Sequence, residues 1–581
     1  MNRRTGWLWV VLVVGLVLTL AVLGFTQSAR ADLWAGETDG GRANAPQAST
    51  CQAQIDGELT IYDTVQAAVD AATDTDLIKV SGYCTGTLTR AGFIQVVYIS
   101  KTLTIQGGYP PGFAGPPNPD THPTTLDAQG EGRVLYITGD INPTMEGLQI
   151  TGGDAAGQGG LPWGFDAGGG IYVFTATATI DNCVIYSNTG SVTDEGSGGG
   201  VLLRGSPATV KNNRIISNTA STSFYGEGGG LFLWQSDAVL RNNTVQGNIG
   251  SGGSHGRGGG MYIGHGNSEL NGNRIVNNTA CTTGSAQGGG LRIDLEGDDD
   301  SLSMSGNSVT GNIASTGSEG DGGGIYIGAG PATLSGNTVQ RNTASTVSDG
   351  KGGGLYLTWP ETVTLRSNSI VSNTSAQNSG SVGQGGGLWV TNGDNMTLTN
   401  NLVADNHANY QGSGMWFSSE SGGPRLPAHR LLQGGEGHTD AILLHNTIAD
   451  NHSSGQGVYV GDDTTLAFTN TIMVGHNSVG ITITTGSTVT LEATLWYGNG
   501  ADTGGGGMVT SSTNVYGDPV FFNPATWNYH LTLDSAAIDQ GVEAGVGTDI
   551  DGHPRPIGSK PDLGADEALP PAYMPLVLRN H

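Results

Sequence analysis

The sequence predicts an all-β protein, a parallel β-helix solenoid, and three observations carry that prediction. Gly-Gly-Gly triplets open at 168, 198, 228, 258, 288, 322, 352 and 385, so the same phrase returns every 30 to 34 residues, a period that marks a repeat architecture. An asparagine recurs at one slot of the phrase, in Asn213, Asn243, Asn273, Asn307, Asn337, Asn368, Asn401, Asn446 and Asn470, with Cys183 at the head of the column. Identical amides stacked one strand spacing apart, about 4.8 Å, can bond along the axis as a ladder. An aliphatic residue follows close behind, read as Val184, Ile215, Val245, Ile275, Val309, Val339, Ile370, Val403, Ile448 and Ile472, and this column is expected to fill the bore. Each repeat offers short strands and turns, without helical period and too little chain for a four-stranded propeller blade.

Composition agrees with such a body. The 581 residues include 99 glycines but only 22 prolines, and the glycines do not recur every third residue, which excludes collagen. The formal charge is −27, from 23 basic against 50 acidic residues, so a nucleic-acid backbone would be repelled. None of the glycine runs carries the Lys-Ser/Thr of a phosphate loop. The triplets read as turn devices, where glycine accepts unusual φ or close backbone approach.

Taken in order, Arg3 and Arg4 precede an apolar run from Trp7 to Phe25, and Ala29-Arg30-Ala31 has the small-x-small pattern of a signal-peptidase site. Residues 1–31 are therefore expected to be a signal peptide of an exported protein, with a retained membrane anchor as the alternative, and 32–50 a linker. Export permits disulfides, and Cys51 and Cys84 are expected to pair, whereas Cys183 and Cys281 read as free thiols. In residues 51–110, Val65, Ala68, Val69 and Ala72 share one face of a short helix behind Asp63 or Thr64 as cap, and Leu77–Val80 and Thr102–Ile105 read as strands. This opening resembles that of pectin-lyase-like right-handed β-helix proteins, and the resemblance implies a helix covering the open end of the bore.

Residues 111–513 form the expected rod, and from about Asn514 the chain changes character. Gly517-Asp518-Pro519, Asp534 to Gly541, Asp549-Ile550-Asp551-Gly552-His553-Pro554-Arg555 and Pro561 to Glu567 resemble the choice-of-anchor Q domain, here 514–568. That resemblance implies a bacterial surface protein whose C-terminal segment, 569–581, carries an anchoring or sorting signal. Tyr573 to Arg579 looks like the terminal motif of secreted Chloroflexota proteins.

Three features break the plain scaffold. The middle residue of the strand after each triplet reads Tyr172, Leu202, Phe232, Tyr262, Arg292, Tyr326, Tyr356 and Trp389, continuing in Trp416 and Tyr459. Strand alternation points this column outward, where it would stack on sugar rings or hold register between strands. An acidic interruption, Asp294-Leu295-Glu296-Gly297-Asp298-Asp299-Asp300, follows Arg292. Asp298, Asp299 and Asp300 suit Ca²⁺, and Arg292, Asp294 and Glu296 are the candidates for acid-base chemistry, against the plainer reading of a solvated loop. His407, His452 and His476 each stand six residues after their ladder asparagine, either a transition-metal column or a solvated imidazole row. An irregular insertion, 418–439, adds Arg425 and Arg430 as binding candidates.

These features point to a secreted or cell-surface β-helix with a structural, adhesive or polysaccharide-binding role and no required cofactor, calcium being the one to test. Its expected partners are an extracellular polysaccharide or cell-envelope component and the export and anchoring machinery. The alternative is a polysaccharide lyase or glycoside hydrolase.

Overall fold

The computed structural model describes residues 50–297, 299–419, 438–453 and 455–569. The leader, the tail, Asp298, Arg425 and Arg430 lie outside them.

One coil contains the strands Leu231–Trp234, Val239–Arg241, Thr244–Gln246, Ile249–Ser251 and His255–Arg257. Each pairs in parallel with its equivalent one coil on, Leu231 with Met261, Val239 with Glu269, Thr244 with Arg274, and Ile249 with Thr279. Among the described residues, stacked coils make a 42-stranded sheet together with parallel sheets of eight and nine short strands. Alternation in strands of three or four residues sends Leu231, Leu233, Leu240 and Val245 inward, where they are fully buried.

The triplets sit where the chain turns into the strand that follows. Gly228 has φ +60° and a Cβ there would lie 2.1 Å from Leu231 O, while at Gly229 it would meet Ile249 O at 2.3 Å. The chain passes so close to neighbouring backbone that no side chain fits.

The asparagine column forms the expected ladder. Asn243 Nδ2 donates to Asn273 Oδ1 at 3.0 Å and to Val210 O at 2.8 Å, and its Oδ1 accepts from Asn213 Nδ2 at 3.0 Å. The run ends at Asn446. Register places Ile448 opposite Met473, so Thr471 takes the ladder slot and Asn470 falls one residue short of it. Asn470 adopts the left-handed φ of +55° shared by Asn242, Asn400 and His445, each just before a ladder residue. Its amide serves the C-terminal segment instead, donating to Val542 O at 2.7 Å and accepting from Val542 N at 2.8 Å. The same registers correct both ends of the aliphatic column, which runs through Ile185 and Met473 rather than Val184 and Ile472.

At the N-terminal end the helix Val65–Ala71 is capped by Thr64, whose hydroxyl accepts from Ala67 N at 3.1 Å. Its last carbonyls, otherwise orphaned, accept from Lys101 Nζ, Val69 O and Asp70 O each at 2.9 Å. Val65, Ala68, Val69 and Ala72 join the same apolar cluster as the bore. Cys51 and Cys84 are bonded, and Cys183 and Cys281 are buried free thiols.

Beyond Val515–Tyr516 the chain folds back along the rod's flank. A hairpin, Phe521–Asn523 with Asn528–Leu531, brings Trp527 Nε1 to Asp405 at 2.9 Å and Tyr529 Oη to Asp450 at 3.0 Å. The coils beneath show why it docks there. Outward positions that carry Ser308, Thr310, Thr338 and Gln340 in earlier coils become Leu402, Ala404, Ile472 and Val474, and these pack with Tyr529, Leu531 and Leu563. Arg555, its side chain fully buried, donates to Asp562 O at 2.8 Å and Ala565 O at 3.0 Å and stands 3.4 Å from Glu567, which ties the stretch around Arg555 to residues 562–567.

Candidate functional site

The aromatic column is a ladder whose faces are closed to ligands. Tyr326, Tyr356, Trp389 and Trp416 stack at centroid distances of 4.3 to 4.7 Å with planes 4° to 12° apart, and Tyr459 follows Trp416 at 5.8 Å. The first four are buried, Trp389 completely. At these four rings the expectation of an exposed stripe over a glycan fails for a geometric reason, while Tyr459 at the end of the stack is half-buried. Rings stacked in parallel register at one strand spacing occupy each other's faces, which are the surfaces a sugar needs.

Arg292 splits this ladder in two. Its guanidinium lies 4.2 Å from the Tyr326 centroid on one side, and on the other it binds Asp294 with two hydrogen bonds, Nε to Oδ2 at 2.8 Å and Nη2 to Oδ1 at 2.9 Å. Tyr262 Oη donates to the same Oδ2 at 2.8 Å. Asp294 stands opposite Gly264 and Gly328 in the neighbouring strands, and a Cβ on Gly328 would come within 2.8 Å of Asp294 Oδ1. Those glycines make the room a buried carboxylate needs. Arg292 and Asp294 are thus spent on each other and on Tyr262, and Glu296 is exposed on the loop.

Tyr262 is also one wall of a cleft of about 380 Å³ over the preceding coils, lined with it by Trp163, Phe165, Glu195, Tyr225, Glu227, Trp234 and Arg257. Trp163 stands edge-on to Trp234 at 4.8 Å and is 42% exposed. Tyr225 Oη donates to Glu227 Oε1 at 2.7 Å, and Arg257 approaches the same oxygen at 3.4 Å with its guanidinium over the Tyr225 ring. Burial pushes the Glu227 carboxyl above its ordinary range, against the pull of Tyr225 and Arg257. Burial, with Asp294 next, likewise raises the Tyr262 phenol, so it stays a donor. The arrangement offers aromatic walls, one exposed indole, and acceptors and donors within reach of a polar ligand. None of Trp163, Glu195, Glu227 or Arg257 was singled out by the sequence pattern. Glu227 and Arg257 share a register position, but that position reads Ala167, Ser197, Glu227, Arg257, Gln287 down the rod, without a repeating chemistry to flag it.

The acidic loop does not gather for Ca²⁺ among the described residues. Asp300 is buried and turned inward, accepting from Gly266 N and Gly297 N, each at 2.7 Å, with His265 Nδ1 at 3.1 Å, while Asp299 is exposed. The histidine column is two residues, not three. His407 and His452 are register partners with ring centroids 5.6 Å apart, both beside Asp405 Oδ1 at 3.8 and 3.5 Å. His476 is fully buried in a different column, because the same one-residue offset that displaces Asn470 carries it to Asn451. That column is a second asparagine ladder, Asn188, Asn218, Asn248, Asn278, Asn312, Asn342, Asn373, Asn406 and Asn451, with amide-to-amide bonds of 2.9 to 3.1 Å throughout, such as 3.1 Å from Asn218 to Asn248 and 2.9 Å from Asn278 to Asn312. A constant offset of five residues from the first ladder was its signal in the sequence.

The family described as a right handed beta helix region matches residues 132–344 and 296–495. Among solved structures, the periplasmic alginate epimerase AlgG is similar at 12% identity and TM-score 0.35, over 65% of this chain and 81% of that one. The pectate lyase Pel9A is similar at 12% identity and TM-score 0.29, over 64% and 88%. No curated protein matches the sequence.

Proposed function

Because the chain belongs to the right-handed β-helix family, we propose that it is an exported β-helix that binds a polysaccharide in the cleft between Trp163 and Arg257. The observation that carries this is the joint presence of an exposed indole, a second indole edge-on to it, and the Glu227–Arg257–Tyr225 polar group on one wall. Apolar sugar faces pack on aromatic rings, and hydroxyls bond to carboxylate and guanidinium groups held in fixed positions. Export is supported by the leader pattern and by the Cys51–Cys84 bond, which suits an oxidising compartment. The resemblance of 514–568 to the choice-of-anchor Q domain, with the tail after it, supports a place at the cell surface.

The test is retention on a panel of immobilised polysaccharides, wild type beside Trp163→Ala and Glu227→Gln. Retention lost in both variants supports the cleft, and retention equal to wild type in both removes it. A second reading, a carbohydrate-active lyase or hydrolase, is favoured by two carboxylates, Glu195 and Glu227, lining one cleft. Release of reducing or unsaturated ends by wild type and not by Glu227→Gln would establish it.

A further inference from the structure

The C-terminal segment holds a cluster that the cleft does not use. His530 of the hairpin, Asp551 of the 549–553 turn and Asp566 near the chain's last described residues present ligand atoms that all lie within 4.8 Å of one another. They line a cavity of about 290 Å³ between this segment and the rod, with Trp527, Thr338 and Thr447 among its other walls. We propose that His530, Asp551 and Asp566 form a binding site for one divalent first-row transition ion, Zn²⁺ or Mn²⁺, whose remaining coordination positions open into that cavity.

Four features of the geometry support the site. The imidazole is oriented from behind, its Nδ1 2.6 Å from Asn528 Oδ1, an oxygen that also accepts His530 N at 3.2 Å. With Nδ1 donating, the neutral ring turns the Nε2 lone pair onto Asp551 Oδ2 at 2.7 Å. Two acceptors face each other there, an arrangement that a shared cation or an added proton resolves. The turn carrying Asp551 is fixed in the same way, since the buried Asp549 accepts from Asp551 N at 3.0 Å and His553 N at 2.8 Å. Asp566 is buried and held by Leu531 N, which donates to its Oδ2 at 2.7 Å, so that two carboxylates, Asp551 and Asp566, crowd one imidazole with ligand atoms within 4.8 Å of one another. An ion between the three groups would relieve that crowding.

The donor set selects the metal. One imidazole nitrogen with two carboxylates on separate segments suits Zn²⁺, which is content with three protein ligands and a water, or Mn²⁺, which takes carboxylates and imidazole and fills its remaining positions with water. Ca²⁺ takes six to eight oxygens, more than these three residues supply. The site is separate from the His407–His452 pair and independent of the glycan reading.

The experiment uses the full mature protein, stripped with EDTA and titrated calorimetrically at pH 8 with Zn²⁺, and with Mn²⁺ and Ca²⁺ in parallel. One Zn²⁺ or Mn²⁺ per chain is expected, bound at least about 100-fold more tightly than Ca²⁺. His530→Gln and Asp551→Asn should each weaken it by about 100-fold, the upper range for losing even a supporting contact. The metal-free melting temperatures of both variants should stay near wild type, showing that the loss is not misfolding. The His407→Ala/His452→Ala variant should bind as wild type does. Absence of binding would show His530 and Asp551 to be a plain ion pair. Binding that survives the His530→Gln/Asp551→Asn double variant, or that is lost with His407 and His452, would place the ion elsewhere. Any of these results overturns the proposal.

Discussion

His476 Nε2 lies 3.4 Å from Asn451 Nδ2, and His476 Nδ1 lies 2.9 Å from Asn499 Oδ1, so an imidazole fills the slot that asparagine fills in every coil from Asn188 to Asn451. Two physical consequences follow from that one substitution in the column. The ladder passes through a titratable group, and the group is sealed from water.

Burial lowers the His476 pKa from 6.5 to about 4. Between those values the unfolded chain takes up a proton that the folded chain refuses, so the stability His476 contributes is full above pH 6.5 and declines as pH falls toward 4. His476→Asn should flatten that part of the profile. Thermal unfolding at pH 7 and pH 4.5 should show the variant gaining on wild type by on the order of 2 kcal/mol at the lower pH. An unchanged difference between the two would mean that His476 is accessible to protons in the folded state.

Removing one rung should cost more than one hydrogen bond. Asn273 donates to Asn307 Oδ1 at 3.0 Å and to Leu240 O at 2.9 Å, and accepts from Asn243 N and Nδ2, both at 3.0 Å. Asn273→Ala leaves those buried partners unsatisfied, and a loss of about 3 kcal/mol or more is expected in denaturant unfolding. A loss under about 1 kcal/mol would show that water replaces the amide.

Trp389 and Trp163 should behave oppositely. Trp389 is fully buried between Tyr356 and Trp416, so Trp389→Ala should cost about 3–5 kcal/mol of stability and leave polysaccharide retention per folded molecule unchanged. Trp163, 42% exposed at the cleft, should cost about 1 kcal/mol or less when replaced by Ala and abolish retention. Unfolding and retention measured on the same samples separate the two roles.

Reducing the Cys51–Cys84 bond, which closes 33 residues of sequence, should destabilise the N-terminal cap by about 3–4 kcal/mol. Hydrogen exchange in dithiothreitol is the readout. Faster exchange confined to the strand Gln52–Ile55 and the helix Val65–Ala71, with coils beyond Gly198 unaffected, is the expected pattern for a repeat body whose units are stabilised by their neighbours.

The sequence by itself determined the rod, because the devices that build it act at fixed spacing and recur. The triplets such as Gly228-Gly229-Gly230, the ladder from Asn213 to Asn446 and the bore positions such as Leu231 and Val245 are all legible as columns. The cap was legible from a local pattern, Thr64 followed by Val65, Ala68 and Val69 on one face. Tertiary structure alone decided what stands outside the repeat. A single-residue offset moved Asn470 and His476 out of the columns that counting assigned them, since register is set by strand pairing and not by distance along the chain. Parallel stacking closed the faces of Trp389 and its neighbours, which alternation had marked as exposed. The cleft of Trp163, Glu227 and Arg257 and the cluster of His530, Asp551 and Asp566 each bring together residues from separate segments with no shared spacing. Periodicity records what every coil repeats, so a site made from the differences between coils, or from a segment folded back across them, leaves no period to read.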